Sequence, residues 1–201
     1  MRIIIASGNP HKINEIRMLL FWPGVEWKTP ADAPGSPSPE ETGLTFAENA
    51  AIKARALAAH TGWLALADDS GLEVDSLHGE PGVLSARYAG RHGDDEANNR
   101  LLLGKLDRSR NRSARFRCAL ALAAPDGTLV AVADGACEGV IAERAAGAAG
   151  FGYDPLFIPE GFDRTFAELG AEVKNRLSHR ARALKALAAG VTPERLASFT
   201  D

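Results

Sequence analysis

Cysteine is nearly missing from this 201-residue sequence: Cys118 and Cys137 are the only two. Two cysteines cannot build a disulfide framework, and these stand in no C-x-x-C or Cys/His metal spacing, so they read as buried thiols in a reducing, cytoplasmic setting. Long apolar runs are missing as well. Met1-Arg2-Ile3-Ile4-Ile5-Ala6 is too brief for a signal h-region, and no later stretch approaches the roughly 18 apolar residues of a membrane span, so no membrane partner is expected. An excess of either charge is lacking. The 26 acids against 23 bases leave a net charge of −3, which removes the electrostatic case for a nucleic-acid partner. The nine Lys/Arg crowded between Arg87 and Arg117 face only four acids and read as a mostly solvated face. His11, His60, His78 and His92 have no partner at metal spacing.

What is present is globular. Hydrophobic residues at 45% and charged residues at 24% suit a globular chain, and its length suits one α/β domain over residues 1–201, or two small lobes sharing a cleft. Arg2 to Ala6 reads as a β-branched strand. The helix after it has Pro10 at its first position, Asn9 or Ser7 as cap, and Ile13, Ile16 and Leu20 on its apolar face. Prolines 30, 34, 37 and 39 exclude helix and central strand from Thr29 to Pro39, leaving a loop. Thr45-x-x-Glu48 has capping-box spacing and predicts a second helix ending near Gly62. Trp63 to Ala67 reads as a short buried strand that stops at Asp68-Asp69-Ser70-Gly71. A helix from about Asp95 to Leu106 follows. Alternation of Phe116, Cys118, Leu120 and Leu122 predicts a strand, and Pro125-Asp126-Gly127 turns it into a second one, Thr128 to Ala133. Gly147 to Gly152 is a Gly/Ala-rich loop, and the last helix is expected from about Ser178 to Ala189. Mixed strands and helices with an antiparallel pair predict an α/β or α+β fold, with a mixed sheet and flanking helices.

Four groups of residues carry possible chemistry. Ser7-Gly8-Asn9-Pro10-His11-Lys12 forms a strand-to-helix turn whose N–H groups, permissive glycine and lysine suit phosphate, though it is neither a Walker A loop nor G-x-G-x-x-G. Glu40-Glu41 and Asp68-Asp69 supply hard oxygen ligands suited to Mg²⁺, and one such carboxylate can take a proton from water. Lys53, Lys174 and His179-Arg180 are isolated cations, and Arg180 at a helix start opposes the macrodipole unless an anion lies beside it. Gly150-Phe151-Gly152-Tyr153-Asp154-Pro155 presents an aromatic ring between two glycines, which suits a stacked base. Phosphate donors, metal carboxylates, further cations and a base platform together point to a nucleotide.

In this order the motifs resemble those of the inosine triphosphate pyrophosphatase-like (HAM1/RdgB) family. They are Ser7-Gly8-Asn9-x-x-Lys12-x-x-Glu15, the run Glu41 to Ala50 with Lys53, Asp68-Asp69-Ser70-Gly71-Leu72, Pro81-Gly82-x-x-Ser85-Ala86-Arg87-Tyr88, Phe151-Gly152-Tyr153-Asp154-Pro155-x-Phe157 and Ser178-His179-Arg180. The resemblance implies two lobes around a central cleft and a homodimer that uses Mg²⁺ to convert XTP, ITP or dITP to the nucleoside monophosphate and pyrophosphate. It places the triphosphate on Ser7, Gly8, Asn9, Pro10, His11 and Lys12, the metal acid on Glu40 or Glu41, and the general base and metal ligand on Asp69. Ser70 falls on a substrate contact and Lys53 on a position near the phosphates. Base recognition falls on Phe151, Gly152, Tyr153, Asp154, Lys174, His179 and Arg180. Beside a divalent ion Asp69 is expected to be ionised. A Maf-like pyrophosphatase for other modified nucleotides, pyrimidines included, and a non-catalytic nucleotide sensor are the competing readings.

Overall fold

The computed structural model describes residues 1–199. Six strands, β1 (Arg2–Ile5), β2 (Glu26–Lys28), β3 (Leu64–Val74), β4 (Ser113–Ala123), β5 (Leu129–Ile141) and β6 (Phe157–Pro159), form a sheet in the order β2-β1-β3-β4-β5-β6. β1 pairs in parallel with β2 and β3, whereas β5 and β6 are antiparallel. β4 and β5 are neighbours joined through a tight turn in which the Ala124 N–H donates to the Thr128 carbonyl at 2.9 Å, so this pair is antiparallel and the sheet is mixed. The helices are α1 (Pro10–Leu19), α2 (Phe46–Thr61), α3 (Asp95–Lys105), α4 (Phe166–Leu177), α5 (His179–Gly190) and α6 (Pro193–Ala197). No helix among the described residues is long and apolar enough to cross a membrane.

The chain divides into two compact units. Of the described residues, the first holds 1–69, 118–135 and 180–199, the second 70–117 and 136–179. In the first unit the two-residue period of the strands sorts the core into two faces. Ile3, Ile5, Leu64, Leu66, Leu120 and Leu122 pack with Ile16 and Leu20 of α1 and Ala183, Leu184 and Leu187 of α5. Ile4, Ala65, Ala67, Ala121 and Ala123 take the other face, against Ala50, Ala54, Leu57 and Ala58 of α2. Alanine on both sides of that second contact allows close approach of helix and sheet, and burial on both faces explains the near-continuous apolar runs of β1 and β3. The second unit has its own core, built from Leu72, Val74, Leu102, Leu106, Phe116, Leu156, Phe157 and Phe166.

Local signals determine the helix ends. Thr45 caps α2 with the reciprocal Glu48 bond, and Gly62 ends it at φ +67°, a left-handed geometry in which a Cβ is strained. Asp94 caps α3. Other expectations are corrected by the structure. The strand expected to stop before Asp68-Asp69-Ser70-Gly71 runs through them to Val74, because Leu72 and Val74 resume the apolar alternation and both aspartates are buried among cations. β5 continues to Ile141, beyond the expected Ala133. Lys174 lies inside α4, a helix not foreseen although Thr165-x-x-Glu168 is a second capping box. Gly170, at φ 79° and ψ 176°, breaks that helix and interrupts its periodicity.

Candidate active site

Asn9 is the N-cap of α1, its Oδ1 accepting the His11 and Lys12 N–H groups at 2.9 and 3.3 Å, and Ser7 Oγ accepts the Asn9 N–H at 3.2 Å. Two amides expected to stand open for phosphate are therefore occupied by the cap. Around Gly8 no atom lies within 4 Å of where a Cβ would sit, so the turn is open there, and Pro10 and His11 are exposed.

Behind this turn the Lys12 ammonium meets Asp68 Oδ1 at 2.6 Å. Asp68 Oδ2 receives Arg180 Nε at 2.9 Å and the Cys118 thiol at 3.1 Å, while Arg180 Nη1 reaches Glu15. Arg180 is 0% exposed and Asp68 1%. Burial by itself would raise the Asp68 carboxyl, but Arg180 and Lys12 outweigh it and hold the group well below the usual carboxylate range. Burial, then Asp68, pushes the Cys118 thiol well up, so it is a neutral donor. The anion that Arg180 requires at its helix start is thus supplied by the protein, as Asp68 and Glu15. His179, next to it, is buried and stacked on Phe116 at 4.8 Å.

Lys53, from the middle of α2, joins two further acids. Its ammonium lies 2.9 Å from Glu41 Oε1 and 2.8 Å from Asp69 Oδ1. Glu41 is half-buried and Glu40 exposed. Asp69 Oδ2 is buried and makes no hydrogen bond. Burial raises the Asp69 carboxyl above its ordinary value, with Lys53 and Lys12 pulling it down and Glu41 pushing it up. Lys53 also moves up: burial opposes its charge, but Asp69, Glu41 and Asp68 outweigh it. The two shifts are compatible because one ammonium faces three carboxylates, which favours the cation and leaves Asp69 only a share of it. Among the described residues no three carboxylate, imidazole or thiolate groups converge on one point. The donors on hand are Glu41 and Asp69, the latter with an unengaged buried oxygen. One or two carboxylates completed by water and phosphate oxygens is the donor set Mg²⁺ takes, so these residues fit that ion.

The second unit gathers the aromatic motif. Lys174, 4% exposed, gives its ammonium to Asp154 Oδ2 at 2.6 Å and sits 4.1 Å from the centre of the half-buried Phe151 ring. Asp154 Oδ2 also accepts the Phe151 N–H at 2.9 Å. The Tyr153 hydroxyl donates to the Ser85 carbonyl at 2.9 Å. Ser70 is half-buried in β3, directly after Asp69. Sequence reasoning passed over Asp95 and Asn99, which bond Gly152. Their spacing on α3 was readable, but their partner lies more than fifty positions away.

Residues 3–190 match the Ham1 family. A dITP/XTP pyrophosphatase of Exiguobacterium sp. is 51% identical over 96% of this chain and 98% of its own. A dITP/XTP pyrophosphatase of Streptomyces coelicolor is 53% identical over 92% and 94%. Among solved structures, a HAM1 protein from Coxiella burnetii superposes with a TM-score of 0.87 at 40% identity, covering 94% of this chain and 98% of that one. With nearly its whole length matched in motif order, fold and sequence, the chain belongs to the Ham1 family.

Proposed function

We propose that this chain hydrolyses the non-canonical purine nucleoside triphosphates XTP, ITP and dITP to the nucleoside monophosphate and pyrophosphate, as one Mg²⁺-dependent domain working in the cytoplasm. The observation that carries the reading is Asp69, a buried carboxylate with one oxygen on the Lys53 ammonium and the other unengaged. The names of relatives about half identical to it, dITP/XTP pyrophosphatases, support the substrate class.

Hydrolysis of a phosphoanhydride demands positioning and charge neutralisation more than covalent chemistry. Lys12 and Lys53 neutralise the phosphates, with Ser7, Gly8, Asn9, Pro10 and His11 lining the turn that receives them. Asp69 Oδ2 takes the proton of the attacking water, a task that its upward-shifted carboxyl favours. Glu41 and Asp69 would hold Mg²⁺, which when bound supplies charge neutralisation on the phosphate oxygens. Asp68 keeps Lys12 in place and is itself fixed by Arg180. Ser70 contacts substrate beside Asp69.

The base is assigned to the face of Phe151, with Gly152, Tyr153, Asp154 and His179 around it. The 6-oxo group of hypoxanthine or xanthine accepts from Lys174, whereas the adenine amine sets a donor against that ammonium, the kind of mismatch a polar site rejects strongly. Two copies are proposed to associate, which light scattering reads as a mass twice the chain's 21.3 kDa; a species of the single-chain mass removes that part. The test of the whole reading is steady-state kinetics with ITP, XTP, dITP, ATP and dUTP. We expect kcat/KM for the three oxopurines to exceed that for ATP by about 10⁴, the discrimination of a site built to bond a polar group. A pyrimidine substrate that outruns ITP overturns the assignment.

A further inference from the structure

The segment that presents Phe151 is rich in conformational freedom. Gly147, Gly150 and Gly152 sit at φ +81°, +80° and +61°, so a ring carried there stays in one place only if other groups hold its backbone. Asp154 holds the Phe151 N–H at 2.9 Å, and two further holding groups come from α3. Asp95 Oδ2 accepts the Gly152 N–H at 2.6 Å, and Asn99 Nδ2 donates to the Gly152 carbonyl at 3.0 Å. The two residues are four apart and share a helix face. The Asp95 bond is charge-assisted and short, the stronger kind.

The helix itself is firmly placed. Asp94 caps it by accepting the Ala97 N–H at 3.0 Å, and Leu102 and Leu106 anchor its far end in the core. Asn98, between the two clamp residues, fastens a different loop by accepting the Ala89 N–H at 2.8 Å. Asn99 does not serve packing alone. Its Oδ1 is buried without a hydrogen bond, a cost that an apolar side chain would avoid. What the amide contributes is its one donor bond to Gly152. Neither Asp95 nor Asn99 belongs to the acids and lysines that handle phosphate.

We propose that Asp95 and Asn99 are positioning residues for base recognition: by fixing both backbone groups of Gly152 they set the Phe151 ring in advance for an incoming purine. The inference rests on the reading of Phe151 as the stacking platform. A ring fixed beforehand loses less freedom on binding, so the clamp acts on affinity for the base and not on the hydrolytic step.

The test measures kcat and KM for ITP, and the inhibition constant of pyrophosphate, in Asp95→Ala, Asn99→Ala, Asp95→Asn and Phe151→Ala. In each of the two clamp-to-alanine variants KM for ITP is expected to rise about tenfold, the weight of one good hydrogen bond, with kcat and pyrophosphate inhibition within about twofold of the parent. Asp95→Asn keeps an acceptor facing Gly152 and should restore most of the affinity. Phe151→Ala should raise KM about 5- to 150-fold, the weight of one stacked base. In the Phe151→Ala background, adding Asp95→Ala should have little further effect, because both changes act through one ring. If Phe151→Ala raises KM and the clamp variants do not, the clamp is wrong and the platform stands. If Phe151→Ala leaves KM unchanged, the platform reading falls and the inference with it. If kcat, KM and pyrophosphate inhibition all worsen together in both clamp variants, their role is general support of the fold and the positioning role is overturned.

Discussion

Asp69→Asn is expected to lower kcat with ITP by about 10²–10⁴, the usual contribution of a general base, while KM changes far less. The substitution is nearly isosteric, so packing in β3 is preserved. What it removes is the charge that pairs with Lys53 and the oxygen proposed to accept a proton. In the folded chain the Asp69 carboxylate meets the Lys53 ammonium at 2.8 Å and shares it with a second carboxylate, Glu41. The asparagine retains an acceptor for Lys53 through its Oδ1, which is why the fold and the position of Lys53 should survive. Pre-steady-state measurement separates the hydrolytic step from product release and locates the loss in the former. Turnover near that of the parent would mean that another group takes the proton.

Arg180→Met is expected to destabilise the protein by about 3–5 kcal/mol, the cost of stranding a buried charge after removing its partner. Asp68 is 1% exposed and takes Arg180 Nε on one oxygen. With methionine in place of Arg180, Asp68 keeps the Lys12 ammonium and the neutral Cys118 thiol but loses the guanidinium, and Glu15 loses its bond to it. For a chain of this size such a loss corresponds to a fall in Tm of roughly 6–20 °C, which calorimetry or urea unfolding reads directly. The double variant Arg180→Met with Asp68→Asn should recover a substantial part of the stability, because the stranded charge is then gone. A single variant within about 1 kcal/mol of the parent would place Arg180 among ordinary surface cations, whose ion pairs count for little.

The parts of this protein that were readable from its sequence are those determined within a few residues. Asn9 before Pro10, Thr45 with Glu48, Gly62 at a left-handed stop and the alternation from Phe116 to Leu122 each announce themselves locally, and each is found where expected. Asp68-Asp69-Ser70-Gly71 misled because two acids followed by Ser-Gly look like a turn. They remain extended because Arg180 lies 112 positions away and Lys12 arrives from α1, and no window of local sequence contains those partners. The same reason explains Arg180 itself. Its awkward place at a helix start was visible, but Glu15, 165 positions distant, was not recognisable as the answer. α4 was hidden by Gly170, whose break halves an already short periodic stretch. The chemical types in the candidate site were legible as a set, while their division into an Asp68 group that holds Lys12 and an Asp69 group with an unengaged oxygen became visible only in three dimensions.

Product analysis on ITP tests the central claim most directly. With Mg²⁺ present, the expected products are inosine monophosphate and pyrophosphate in equal amounts, with the reaction stopping when the ion is chelated and resuming when it is restored. Inosine diphosphate with orthophosphate, or turnover indifferent to the chelator, would contradict the assignment of Glu41 and Asp69 to a metal-assisted cleavage between the first and second phosphates.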